Sequence, residues 1–100
     1  MRTALAFATA LVVAPIAAFA QDTAGRNLAA ACAICHGTNG APGQGSPLIP
    51  LAGLPKDHIA TQMRAFRDGK RPATVMHQIA KGYSDEQIDQ LASWFASHKR

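Results

Sequence analysis

Two cysteines and a histidine share one pentapeptide, Cys32-Ala33-Ile34-Cys35-His36, and these are the residues best suited to carry chemistry. The Cys-x-x-Cys-His spacing is that of covalent haem c attachment. Each thiol adds its S–H across a haem vinyl group and becomes a thioether. Residues three apart on a helical turn present both sulfurs on one face. A histidine directly after them can place its imidazole under the porphyrin as an axial iron ligand. Three other readings compete. A thioredoxin-like redox pair needs a βαβ context, and no strand-rich pattern occurs in this chain. A zinc site takes four ligands, and the chain has only 2 Cys. A plain Cys32–Cys35 disulfide is the structural alternative.

A haem held by His36 on one side leaves its other side to explain. The candidates are Met63, Met76, His58, His77, His98 or an open position; Met1 would leave with an export segment. Met63 falls on the apolar stripe of an amphipathic helix, where methionine is ordinarily core. Met76 lies in a short segment between Pro72 and Gly82 that can turn a side chain toward the iron from the far side. A thioether ligand raises the iron potential, which suits an electron carrier. Position therefore favours Met76, with a bis-histidine haem through His77 or His58 as the other arrangement.

The 100 residues, 16% charged and 6% aromatic, bound the chain to one small domain. Residues 1–20 read as a cleaved signal peptide outside it. Arg2 is the positive end, Leu5 to Phe19 is apolar apart from Thr9, and Ala18-Phe19-Ala20 has the small-x-small form of a cleavage site. Pro15 interrupts the apolar run, and no membrane span is expected after cleavage. The domain proper is 21–100, which places it in an exporting compartment, the periplasm of a bacterium. Export permits haem c and a disulfide alike. A chain this short is marginal for a self-sufficient core, and a haem offers a large apolar plate on which helices can pack. The formal net charge of +4 is too modest in an exported protein to imply nucleic-acid binding.

The elements that must position these residues are all helical. Asp22 reads as the N-cap of a first helix running to about Ala33, with Ala24, Leu28, Ala31 and Cys35 on one face. Gly25 fits either close approach of another helix or a tolerated frayed end. The Gly- and Pro-rich stretch from Gly37 to Pro50 is a loop. A carbonyl within it can accept the second imidazole N–H of His36 and fix its tautomer, Pro50 being the first choice and Pro47 the second. Pro55 opens a second helix to about Asp68, with the stripe Ile59, Met63 and Phe66. Arg64, Arg67, Lys70 and Arg71 cluster at its end, either as helix-terminal charges or as a docking patch or propionate contact. Pro72 to Ala80 reads as a short helical turn. Ser84-Asp85-Glu86-Gln87 is a capping box for a last helix from Asp85 to about Ser97, burying Ile88, Leu91, Ala92 and Phe95.

On these residues the chain resembles a small bacterial class I c-type cytochrome with one haem, over essentially all of residues 22–98. Cys32-Ala-Ile-Cys-His-Gly-Thr-Asn-Gly40 and Leu51-Ala52-Gly53 carry the resemblance. Within that class it is similar to the haem subunit of flavocytochrome c, the sulfide dehydrogenase, in Gly69-Lys-Arg-Pro-Ala-Thr-Val-Met76 and Ile79-Ala-Lys-Gly-Tyr-Ser-Asp85. The resemblance implies an all-α class I cytochrome c fold around one covalent haem c. It implies thioethers at Cys32 and Cys35, and His36 and Met76 as axial ligands. It implies that Gly25 crosses the Trp94–Phe95 region of the last helix. It implies electron transfer without catalysis by this chain alone, an FAD-binding flavoprotein subunit that oxidises sulfide, and an acceptor cytochrome. The rivals are a free diffusible monohaem carrier and a haem-based ligand-binding or sensor domain.

Overall fold

Ser84 begins the helix on which the others converge. Its hydroxyl accepts from Gln87 N at 3.2 Å, and the Gln87 side chain accepts from Ser84 N at 3.0 Å, so the capping box is complete. Asp85 and Glu86 add negative charge to the first turn, where the helix dipole favours it. The computed structural model describes residues 3–13 and 17–100. The helices among them are α1 (Ala17–Ala29), α2 (Ala33–His36), α3 (Lys56–Arg67), α4 (Met76–Ala80) and α5 (Asp85–Ala96). Short 3-10 turns at Ala30–Cys32 and Thr38–Gly40 flank α2. Among the described residues there is no strand, and no helix is long and apolar enough to cross a membrane. The fold is the small all-α one expected.

Helix α5 packs against α1 on one side and α3 on the other, and α4 closes over α3. Ile88, Leu91, Ala92 and Phe95 bury the 3.6-residue stripe of α5 against Ile59, Ala60 and Met63 of α3, with Ala29 and Ala80 completing the core. Ion pairs reinforce the α3–α5 contact. Arg64 reaches Asp85 at 3.0 Å and Asp89 at 2.9 Å, while Arg67 reaches Asp85 at 2.8 Å and Asp68 at 3.1 Å. The two guanidiniums hold the Asp85 carboxyl below its usual range. Two of the four cations of the expected basic cluster are thus occupied by carboxylates, which favours the structural reading of Arg64 and Arg67.

The crossing of α1 and α5 depends on Gly25. A Cβ there would lie 2.9 Å from Gln90 O and 3.2 Å from Trp94 Cβ, so close approach is the correct explanation of this glycine. Gly25→Val should destabilise the fold by about 1–3 kcal/mol through overpacking. Gly43→Ala, with nothing within 4 Å of the added carbon, should not. Thermal unfolding by circular dichroism measures both.

Two boundaries and one helix face differ from expectation. Helix α1 starts at Ala17, so Asp22 lies inside it rather than capping it. The intervening residues are mostly alanine, the best helix former, and contain no breaker. The inward face of α1 is Gly25, Ala29 and half-buried Leu28, and half-buried Cys32 continues it in the 3-10 turn, whereas Ala31 and Cys35 are exposed. The nearest approach to α5 is at the residue without a side chain, which turns the helix by one position from the expected register. Helix α4 begins at Met76 rather than Pro72, because Val75 takes a φ of −138°, outside the helical range.

The apolar Leu5, Phe7, Leu11, Val12 and Val13 of the expected export segment are 78–89% exposed and belong to no regular element. Arg2 and Pro15 of that segment lie outside the described residues.

Candidate functional site

The Cys-x-x-Cys-His stretch sits where the first helical arm tightens into a 3-10 turn and ends in α2. Cys32 is half-buried and packs on the core, while Cys35 faces solvent. Both thiols are free, so the structure does not hold the disulfide alternative. Burial pushes the Cys32 thiol up from its ordinary value, and the neighbouring Cys35 adds to the rise. Among the described residues no group of three or more His, Cys, Asp or Glu stands together as a metal cage.

The chain turns sharply after His36. Gly40 takes φ +77°, and its Cβ would lie 2.8 Å from both Ala52 N and Phe95 Cδ1. With no side chain in the way, Gly40 O accepts from Leu51 N at 2.8 Å and Ala52 N at 3.1 Å, closing the proline loop at its base. The closed loop brings Ile49 O to 2.7 Å from His36 Nδ1. A carbonyl oxygen only accepts, so Nδ1 carries the proton and the neutral ring keeps its lone pair on Nε2. The carbonyl partner is therefore Ile49, and neither Pro50 nor Pro47 fills the role. The residue before a proline favours an extended conformation, but Ser46 and Ile49 share that position, so the choice between them rests on how the loop closes.

The far-side candidates separate clearly. Met63 is 6% exposed within the core. Met76 is half-buried, starts α4 and rests on the edge of the same core as Cys32. His58 is exposed on α3. His98 donates from Nδ1 to Trp94 O at 2.6 Å and leans edge-on against the Trp94 ring, at the C-terminal end of α5. His77 is half-buried, and its Nδ1 is the buried side-chain polar atom among the described residues that has no partner.

The donor set fits the group its motif calls for. Two free thiols, an imidazole with Nε2 available and a half-buried thioether come from segments whose apolar residues remain open. Ile34 between the cysteines is 87% exposed, Ile49 beside the His36 carbonyl 58%, and Val75 next to Met76 52%. Apolar side chains left in water beside each donor are surface that a bound apolar group would cover. Surface cavities of about 260 and 400 Å³ contain none of the four candidate residues, although the larger one abuts Ile49 and Pro50. One supporting residue escaped the sequence reading. Tyr83 donates its hydroxyl to Leu28 O at 2.9 Å and packs on the same core edge as Cys32, tying the segment after α4 to the arm that carries the cysteines.

Residues 20–95 match the family described as cytochrome c oxidase, cbb3-type, subunit III. The chain is 38% identical over 77 residues to the cytochrome subunit of sulfide dehydrogenase of Chlorobaculum tepidum, covering 76% of this chain and 67% of that one. It is 36% identical over 81 residues to cytochrome c-554(548) of Halomonas halodenitrificans, covering 76% of this chain and 94% of that one. A thiosulfate dehydrogenase electron acceptor of Thiomonas intermedia is 40% identical over 71 residues, covering 71% of this chain. The chain spans only 33% of that longer protein.

Proposed function

The chain belongs to the c-type cytochrome family, and from that premise we propose that it carries single electrons through one haem c outside the cytoplasm. The observation that carries the reading is the Ile49 O–His36 Nδ1 hydrogen bond directly after two free cysteines. Cys32 and Cys35 would form the thioethers, each thiol hydrogen going to the second carbon of the vinyl group. His36 would bind iron through Nε2, held in that tautomer by Ile49 O. Met76 would be the second axial ligand, presented by the first residue of α4 on the core edge. When bound, haem c supplies the one-electron iron couple. The protein's own work is to hold the iron between an imidazole and a thioether, keep water from it, and set its potential. It forms and breaks no substrate bond alone.

Several observations support export and a partner. The residues before the family match, which begins at residue 20, include the exposed apolar stretch. Such a segment suits a cleaved signal peptide better than part of the domain. The sulfide dehydrogenase relative is named as a cytochrome subunit. The reading follows that this chain accepts electrons from an enzyme subunit, an FAD-binding flavoprotein that oxidises sulfide, and passes them to an acceptor cytochrome. A second reading, a free diffusible carrier, is favoured by cytochrome c-554(548), 94% of whose length is matched by this chain.

The test is to express the full chain in a host competent for haem c maturation and record spectra, pyridine haemochrome content and mass. One covalent haem per chain, with the chain beginning near Gln21, is expected. A mature, exported chain without covalent haem would overturn the reading. A flavoprotein captured from the native host would select the sulfide dehydrogenase setting, and its absence the free carrier.

A further inference from the structure

The segment that presents Met76 is a strap with few anchors. Helix α3 ends at Arg67, and the chain then folds back so that Lys70 N and Arg71 N both donate to Ala65 O, at 2.9 and 3.2 Å. Beyond Arg71 the anchoring stops. Pro72 has no N–H, and the amides of Ala73, Thr74 and Val75 donate no hydrogen bond among the described residues. The next tethered amides are Gln78 and Ile79, both on Val75 O. Met76 therefore stands at the end of an unbonded stretch whose leading end is Arg71.

Arg71 is fixed in a way its neighbours are not. Its guanidinium carbon lies 4.6 Å from the centre of the Phe66 ring, and Nη1 donates to Gln62 Oε1. Gln62 and Phe66 are one turn apart on α3, and Phe66 packs on the core. Arg64 and Arg67 are spent on carboxylates, whereas Arg71 has no carboxylate partner among the described residues. Its planar fork serves as a clip across one helical turn, a use that requires arginine rather than positive charge alone. Lys70, also exposed, makes no side-chain hydrogen bond or ion pair among the described residues.

We infer that Arg71, clipped onto Phe66 and Gln62, is a positioning residue that holds the Met76 strap and so sets how firmly the thioether stays on the iron. The inference rests on the reading of Met76 as an axial ligand. Releasing the clip gives the strap more conformations with Met76 away from the iron, and ligand loss is the first event such freedom permits.

The test titrates imidazole, which competes with Met76, into the oxidised holoprotein. Arg71→Ala should bind imidazole roughly ten-fold more tightly than the wild type, the combined size of one exposed cation–π contact and one hydrogen bond. Phe66→Leu should shift the titration in the same direction, and Lys70→Ala should leave it unchanged. Met76→Ala sets the limit of a fully open position. An Arg71→Ala titration equal to the wild type, with Met76→Ala still tight, overturns the clip and leaves the ligand reading standing. Equal shifts for Lys70→Ala and Arg71→Ala would show charge at work, and overturn it also. A wild type that binds imidazole as tightly as Met76→Ala removes Met76 from the iron, and the inference falls with the ligand reading.

Discussion

Met76→Ala is expected to abolish the weak far-red band of the oxidised protein and to open the reduced iron to carbon monoxide, while leaving the haem covalently attached. The thioether is the softer of the two proposed axial ligands and favours ferrous over ferric iron. A drop in potential on the order of 100 mV follows, since each ten-fold difference in preference between the two oxidation states is worth about 59 mV in a one-electron couple. Met76→His should restore a closed sixth position without the far-red band and at a potential still below the wild type. Met63→Ala is the contrasting variant. Met63 is 6% exposed in the core, so its loss should cost about 2–5 kcal/mol of stability and leave the spectrum alone. If the two phenotypes were exchanged, with Met63→Ala losing the band and Met76→Ala keeping it, the ligand assignment would be wrong. Carbon monoxide binding by the wild type would favour the sensor reading, because it would mean the sixth position is open without any substitution.

The contrast between the two methionines shows what was legible in the sequence. Periodicity places Met63 in a helical stripe and Met76 in a short stretch between Pro72 and Gly82, and the structure buries the first and leaves the second on the core edge. The capping box at Ser84 and the buried stripe of α5 were equally legible, because both depend on residues within a few positions of one another. What escaped the sequence depends on distant partners. The choice of Ile49 as the His36 acceptor follows from how Gly40 O closes the loop on Leu51 and Ala52. The burial of Cys32 rather than Ala31 and Cys35 follows from the closest approach at Gly25. The pairing of Arg64 and Arg67 with Asp85 and Asp89 joins residues 18 to 25 positions apart in sequence, which no local pattern signals.

The cysteines should give the largest effect of all, and an unequal one. Replacing both Cys32 and Cys35 with serine should eliminate covalent haem, seen as loss of haem staining on a denaturing gel. Folded protein should fall with it, since a core this small relies on the haem as packing surface. The single variants separate attachment from packing. Either one leaves one vinyl group in conjugation with the ring and should shift the reduced α band to longer wavelength. Their stabilities should differ, because Cys32 rests half-buried on the core while Cys35 faces solvent. Serine at 32 brings a hydroxyl into an apolar contact and should cost about 1–3 kcal/mol beyond the lost thioether. Serine at 35 meets water and should cost only the thioether. Thermal unfolding of the two single variants, each loaded with haem, measures that gap. Equal unfolding temperatures would mean that the bound haem, rather than the polypeptide core, decides the environment of both sulfurs.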